Sequence, residues 1–233
     1  MRLAVIPARG GSKRIPRKNI KQFCGKPIIA WSIEAAIQST CFDKIVVSTD
    51  DEEIADIARD YGASVPFLRP KNLADDHTGT GVVISHAIQQ LMDAGETPLQ
   101  VCCLYPTAPF VNASDLKNGL TLLEHFQVDF ALAVTSYAFP IQRAIRIQEN
   151  RRIEMFQSHH FYTRSQDLEE AYHDAGQFCW GRVNAWLENK AAFLADTVPI
   201  ILPRHRVQDI DTLEDWINAE WMFKALLQQS NSI

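Results

Sequence analysis

The sequence predicts an α/β protein in which helices cover both faces of a mostly parallel sheet, giving three layers, α/β/α. Two observations lead there. Short apolar runs alternate with amphipathic stretches of helical period between Leu3 and Ser136, the order that generates βαβ units. Polar residues also gather just after the runs, with Arg9, Asp50, Arg69 and Tyr105-Pro106 in that position. Those are the carboxyl ends of the strands, where ligands of such sheets sit.

The elements follow in order. Leu3 to Ile6 is the first strand, and Gly10-Gly11 turns the chain soon after it. Pro27 opens a helix to about Ser39, with Ile29, Ile33, Ala36 and Ile37 on one face. Lys44 to Thr49 is a compact strand, and Asp50-Asp51 supply an N-cap for a helix carrying Ile54, Ile57, Ala58 and Tyr61, closed by Gly62. Ser64 to Leu68 reads as another short strand, ending at Arg69-Pro70. A polar stretch, Lys71 to Gly81, leads into a helix with Val83, Ala87, Ile88 and Leu91. Val101 to Tyr105 is an apolar central strand. Asn112 or Ser114 caps the helix that runs to His125, and Phe130 to Ser136 is the next strand.

The rhythm then breaks. Residues 144–147 and 153–156 flank the polar turn Glu149 to Arg152 as a hairpin. A polar loop runs from His159 to Asp174, and Gly176 to Trp180 is a short strand. Asn184 to Phe193 has helical character, and Val198 to Leu202 is a last strand. Asp211 or Thr212 begins a C-terminal helix with Leu213, Trp216, Ile217, Phe223 and Leu227. Nothing in residues 1–233 reads as a repeat or linker, so one domain is expected.

Composition narrows the function. The chain is 46% hydrophobic and 22% charged, ordinary for a soluble globular protein. Its net charge of -5 argues against general nucleic-acid binding, which favours a basic face. The five cysteines are scattered without a C-x-x-C pair and read as reduced core residues. No apolar run approaches the roughly 18 residues a membrane span needs, and cytoplasm is the expected compartment.

On this acidic chain, Arg9, Lys13, Arg14, Arg17, Lys18 and Lys21 crowd one short segment free of acids. A strand feeding a glycine turn rich in N–H groups and cations suits a polyphosphate. A non-catalytic anion or nucleic-acid binder would need aromatics among those cations for stacking, and none is there. The segment lacks the first glycine of a P-loop and the third of a dinucleotide fingerprint, which disfavours an ATP-dependent kinase. Near the other end stands Asp209-Ile210-Asp211. In an extended segment both carboxylates face one side, a hard-oxygen pair suited to Mg²⁺. Spacing equally allows Asp211 to be a helix cap with Asp209 solvated. His159, His160 and His173 complete no zinc set by spacing and read as surface or substrate-contact residues.

The run Ile6-Pro7-Ala8-Arg9-Gly10-Gly11-Ser12-Lys13-Arg14-Ile15-Pro16-Arg17-Lys18-Asn19 resembles the opening signature of the CMP-sialic acid synthetase (acylneuraminate cytidylyltransferase) family. The resemblance covers nearly the whole chain. It implies a Rossmann-like sheet of the nucleotide-diphospho-sugar transferase type. It also implies attack by a sugar's anomeric hydroxyl on the α-phosphate of CTP, releasing pyrophosphate. By this resemblance Ala8, Arg9, Gly10, Gly11, Ser12, Lys13, Lys18, Asn19, Arg69, Asp76 and Thr78 border the nucleotide. Asp209 and Asp211 would hold Mg²⁺, and Arg9, Lys18 and Asp211 would serve catalysis. The proton acceptor stays open between Asp211 and a metal-bound hydroxide. Tyr105, Gln142, Arg164, Asp174 and Gln177 would meet the sugar. An inserted region of about 137–183 would pair two subunits as a homodimer and help cover the sugar.

Departures from the parent family lie on the sugar side. Tyr105 stands where sialic acid synthetases carry Gln, and Val111 where they carry Arg. His173-Asp174-Ala175-Gly176 replaces R-P-N-G, leaving Arg164 as the candidate partner of the sugar carboxylate. The stretches around Thr163 to Leu168 and Tyr172 to Phe178 resemble the pseudaminic acid cytidylyltransferase branch. That implies a nine-carbon 2-keto sugar acid, with sialic or legionaminic acid as alternatives, and a role in bacterial surface glycosylation.

Overall fold

A computed structural model describes residues 1–230 of the chain. Strand β1 (Arg2–Pro7) is followed by a loop and the small antiparallel pair β2 (Gln22–Phe23) and β3 (Lys26–Pro27). Helix α1 (Ile28–Ser39), strand β4 (Lys44–Ser48), helix α2 (Glu52–Asp60) and helix α3 (Thr80–Asp93) come next. Strand β5 (Gln100–Leu104), helix α4 (Ala113–Phe126) and strand β6 (Phe130–Ser136) complete the alternating part. An excursion carries the exposed hairpin β7 (Ile145–Ile147) and β8 (Ile153–Met155). The chain returns through β9 (Tyr172–Arg182), α5 (Val183–Leu187), β10 (Thr197–Ile201) and α6 (Leu213–Ser230).

Six strands form one sheet in the order β10-β6-β9-β5-β1-β4. All run parallel except β9, which lies antiparallel between β5 and β6. The expected mostly parallel, three-layer α/β sheet is therefore present, with one reversed strand at its middle. β9 extends well past the short strand predicted over 176–180 because Tyr172 to Asp174 also pair with β6 and Gly181 and Arg182 with β5.

Alternation along the strands divides the core. Ile6 of β1 faces a cluster with Ile29 and Ile33 of α1, Ile54 of α2 and Leu116 of α4. Leu3 and Val5 face the opposite cluster, with Ile84 and Ile88 of α3 and Trp186 of α5. Fully burying each such side chain contributes roughly 1.5–3 kcal/mol, which makes the three-layer arrangement the stable one.

Two expected elements differ. Residues 64–68 make only isolated parallel bridges, Val46 to Ser64 and Thr49 to Leu68, because Pro66 has no N–H to continue a ladder. The helix expected over 184–193 stops at Leu187, and Asn189 turns left-handed at φ 52°. The excursion shows many exposed apolar side chains, among them Phe139, Ile147, Phe156 and Tyr162.

Candidate active site

The loop that follows β1 is fixed from beneath. Asn19 is 5% exposed and donates Nδ2 to the Arg9 carbonyl at 2.9 Å, so it shapes the loop from inside. Gly10 N–H donates to Asp50 Oδ1 at 3.0 Å. A Cβ on Gly10 would come within 2.7 Å of Asp51 Oδ2, a contact only glycine avoids. That bond turns one amide of the expected phosphate cradle toward a carboxylate. Arg17, left-handed at φ 56°, pairs with Asp51 and Glu53. Its hydrogen bonds hold the Asp51 carboxyl below the ordinary range, while Asp51 caps α2 through Ile54 N–H as expected.

Beside this loop lies a cavity of about 270 Å³ at the carboxyl rim. Arg9, Ser12, Lys18, Asn19, Arg69, Asp76, Thr78 and Tyr105, all expected at a ligand, line it together. Ala8, Gly10, Gly11 and Lys13 belong to the same loop outside the lining, with Lys13 reaching Asp76 at 2.5 Å. Arg69 is 5% exposed, and among the described residues its side chain donates only a long bond, 3.4 Å, to the Leu73 carbonyl. Its Nε and Nη2 have no partner among the described residues. Burial lowers its pKa from the arginine value, with Asp50 opposing. A buried guanidinium with unmatched donors on a cavity wall is poised for an oxygen-rich ligand.

The two ends of the chain meet here. Lys18 Nζ donates to the Ile210 carbonyl at 2.7 Å and approaches Asp211 Oδ1 at 3.4 Å, and Arg14 pairs with Asp211 at 2.8 Å. Ile15 and Ile210, each 1% exposed, share an apolar cluster with Phe23 and Trp216 that binds the front loop to α6. The cap of α6 is Thr212 with Asp215. Asp215 N–H donates to Thr212 Oγ1 at 3.2 Å, and Asp215 Oδ2 accepts from Thr212 N–H at 2.7 Å and Asp211 N–H at 3.1 Å. Asp211 is thus released from capping. Lys18 and Arg14 both reach Asp211, brought there by tertiary packing that spacing does not reveal.

Burial, and then the nearby Asp211, push the Asp209 carboxyl up, with Lys18 opposing. Two carboxylates close enough to repel are a donor set for a hard divalent cation. Among the described residues no group of three or more His, Cys, Asp or Glu side chains forms a cage. The residues therefore suit an ion that takes its other ligands from phosphate and water, as Mg²⁺ does.

β9 delivers the sugar-side candidates. Against β6, between the pairings Leu132–Cys179 and Val134–Asp174, it bulges at residues 175–178, while Phe178 still pairs with Leu104 of β5; Gly176 there has φ 62°. Asp174 Oδ1 accepts from Gly176 N–H at 2.8 Å, and burial pushes the Asp174 carboxyl up. Gln177 O accepts from Tyr105 N–H at 2.9 Å, and Gln177 Nε2 donates to the Arg206 carbonyl at 2.5 Å. Arg206 in turn forks onto Asp115 at 2.5 and 3.2 Å. Asp174 lines a second cavity, about 340 Å³, with Cys103, Leu132, Trp186 and Phe193. Tyr105 and Thr80 line both cavities and separate them. The Cys103 thiol beneath it and burial push the Tyr105 phenol up, while Thr80 hydrogen-bonds it.

The remaining sugar candidates stand apart from both cavities. Gln177 is 2% exposed and acts within the bulge. Gln142 donates to the Glu169 carbonyl at 2.9 Å inside the excursion, and exposed Arg164 pairs with Asp167 at 2.6 Å. Thr80, Thr107 and the Asp115–Arg206 fork escaped the sequence reading. Only Thr107, directly after the β5 carboxyl end, carried a positional signal.

A family model described as cytidylyltransferase matches residues 3–200. The chain is 48% identical over 222 residues to the pseudaminic acid cytidylyltransferase of Campylobacter jejuni subsp. jejuni, covering 95% of this chain and 96% of that one. It is 37% identical over 227 residues to the CMP-N,N'-diacetyllegionaminic acid synthase of Legionella pneumophila, covering 94% of each. A solved CMP:2-keto-3-deoxy-manno-octonic acid synthetase complexed with CTP shares the fold, with a TM-score of 0.69 over 98% of this chain and 99% of that one at 17% identity. The basic loop, both cavities and the reversed strand between β5 and β6 all lie within the matched span, and on sequence and fold together the chain belongs to the cytidylyltransferase family.

Proposed function

We propose that the chain is an enzyme that activates pseudaminic acid, converting CTP and pseudaminate to CMP-pseudaminate and pyrophosphate. The observation that carries this is the convergence of Arg9, Lys18 and the unmatched Arg69 on one cavity, with Lys18 reaching the Asp209–Asp211 segment beside it. The 48% identity to the Campylobacter jejuni enzyme supports pseudaminate as the sugar.

In this reading Arg9 and Lys18 balance the phosphate charge that builds as the pyrophosphate leaves. Arg69 and Thr78 hold the nucleotide, and Tyr105 seats the sugar where the two cavities adjoin, so that its anomeric oxygen faces the α-phosphate. The apolar walls of the second cavity, Leu132, Trp186 and Phe193, suit acyl groups on the sugar, and Asp174 accepts a hydrogen bond from it. Asp209 and Asp211 would hold Mg²⁺, which when bound neutralises phosphate charge and aligns the leaving group. Lys18 and Arg14 hold the Asp211 side chain in place beside Asp209. The exposed apolar side chains of residues 137–171 support a homodimer face. No helix among the described residues is long and apolar enough to cross a membrane, which agrees with a cytoplasmic enzyme that draws on CTP and feeds bacterial surface glycosylation.

The 37% identity to the Legionella pneumophila synthase supports a second reading, the same reaction on a legionaminic acid. Pyrophosphate release with CTP, Mg²⁺ and pseudaminic, legionaminic or sialic acid in turn separates them. The pseudaminate reading expects the highest kcat/KM with pseudaminate, and Arg9→Ala and Asp209→Ala should each remove most turnover. Preference for another sugar overturns the substrate, and near-normal rates in both variants overturn the site.

A further inference from the structure

Segment 71–79 supplies one wall of the 270 Å³ cavity through Leu73, Asp75, Asp76 and Thr78. Its shape is largely its own. Asp75 Oδ1 accepts from His77 N–H at 3.0 Å, from Thr78 N–H at 2.7 Å and from Thr78 Oγ1 at 2.7 Å. Its ties to the rest of the chain have another character. Among the described residues, the side chains that bond to it from elsewhere are Arg9, Lys13 and Arg69. Arg9 Nη1 donates to the Asp75 carbonyl at 2.6 Å and pairs with Asp76 Oδ1 at 2.7 Å. Lys13 Nζ pairs with Asp76 Oδ2 at 2.5 Å, and Arg69 reaches the Leu73 carbonyl at 3.4 Å. Arg9 and Arg69 are assigned to the nucleotide in the proposed function, and the family resemblance places Lys13 beside it.

We propose that Asp76 stands in for a phosphate: it latches segment 71–79 across Arg9 and Lys13 until the triphosphate displaces it, and it re-forms those pairs as pyrophosphate leaves. The inference rests on the cytidylyltransferase reading of this cavity. Each Asp76 oxygen takes a separate cation, as the non-bridging oxygens of a phosphate do. The hydrogen bonds from Lys13 and Arg9 hold the Asp76 carboxyl below its ordinary range, so the competitor is charged at neutral pH. A tethered carboxylate competes at high effective concentration, and a polyphosphate overcomes it with more charge. The latch therefore lowers affinity for the substrate's phosphates and for the product alike, which favours turnover over retention of pyrophosphate.

Calorimetric titration without magnesium tests this, with CTP, inorganic pyrophosphate and cytidine on wild type, Asp76→Asn and Arg9→Ala. Asp76→Asn should tighten CTP and pyrophosphate about three- to tenfold, the scale of partly exposed ion pairs, and leave cytidine unchanged. In the full reaction the same variant should be more strongly inhibited by added pyrophosphate. Unchanged or weaker pyrophosphate binding in Asp76→Asn, with Arg9→Ala still weakening it, overturns the latch alone. If Arg9→Ala leaves both phosphate ligands unaffected, the reading of the cavity fails and the latch fails with it.

Discussion

Replacing Arg69 with methionine should make the empty protein more stable while removing its hold on the nucleotide. Arg69 is 5% exposed, and two of its guanidinium nitrogens find no acceptor among the described residues. An unmatched buried polar group costs about 1–3 kcal/mol. The long bond to the Leu73 carbonyl and the attraction of Asp50 return part of that, while the nearby Arg9 adds repulsion. Methionine fills similar space without the charge, so a net gain of about 1–2 kcal/mol in unfolding free energy is expected. For a chain of this size that corresponds to a rise of roughly 2–8 °C in melting temperature. CTP should reverse the ranking, since ligand at a hundred times its Kd stabilises wild type by about 2.7 kcal/mol and the variant should lose most of that. Differential scanning calorimetry with and without CTP measures both. A variant that melts below wild type without nucleotide, or that gains as much from CTP, would refute the idea that Arg69 is held in strain for a ligand.

Other expectations follow from the same geometry. Asp209 is raised above the ordinary aspartate range, so its carboxylate costs stability above its folded pKa, and the cost fades as pH falls to the unfolded value. Asp209→Asn should therefore melt higher than wild type at neutral pH without magnesium, lose the advantage near pH 4, and turn over poorly; an equal advantage at both pH values would contradict the repulsion. Asp115→Asn strips the acidic partner from Arg206, whose pair is 14% and 20% exposed on its two sides, and should cost about 1–3 kcal/mol in urea unfolding. An unmoved midpoint would mean the fork contributes nothing. Tyr105→Gln should raise KM for the sugar more than for CTP in initial-rate measurements, because Tyr105 walls both cavities; a defect confined to CTP would place the sugar elsewhere.

Much of the molecule was legible because its signals are local. Continuous apolar runs marked β1, β4, β5 and β6, and Asp51 and Asn112 could be read as caps before their acceptor bonds to Ile54 and Asp115 were visible. Arg9, Ser12 and Lys18 of the loop after β1 line the 270 Å³ cavity at the carboxyl rim. What escaped depends on distant partners. The reversed direction of β9 is set by its neighbours, since an apolar run carries no arrow. The choice between Asp211 and Thr212 as cap turned on Asp215, a residue whose role only the folded turn reveals. The nearness of Arg14 and Lys18 to Asp211 comes from Ile15 and Ile210 packing together across most of the chain length. Gln142 and Arg164, carried over by resemblance alone, sit in the excursion and line neither cavity.

Ser136 and Tyr172 are partners across the ladder between β6 and β9. The chain therefore departs for its excursion and comes back at adjoining points of the rim, as a handle is riveted to a cup. Such a cassette can be lengthened, shortened or rewritten without shifting the register of any strand beneath it. Its length and sequence can then change while the strands and the two cavities they carry stay as they are.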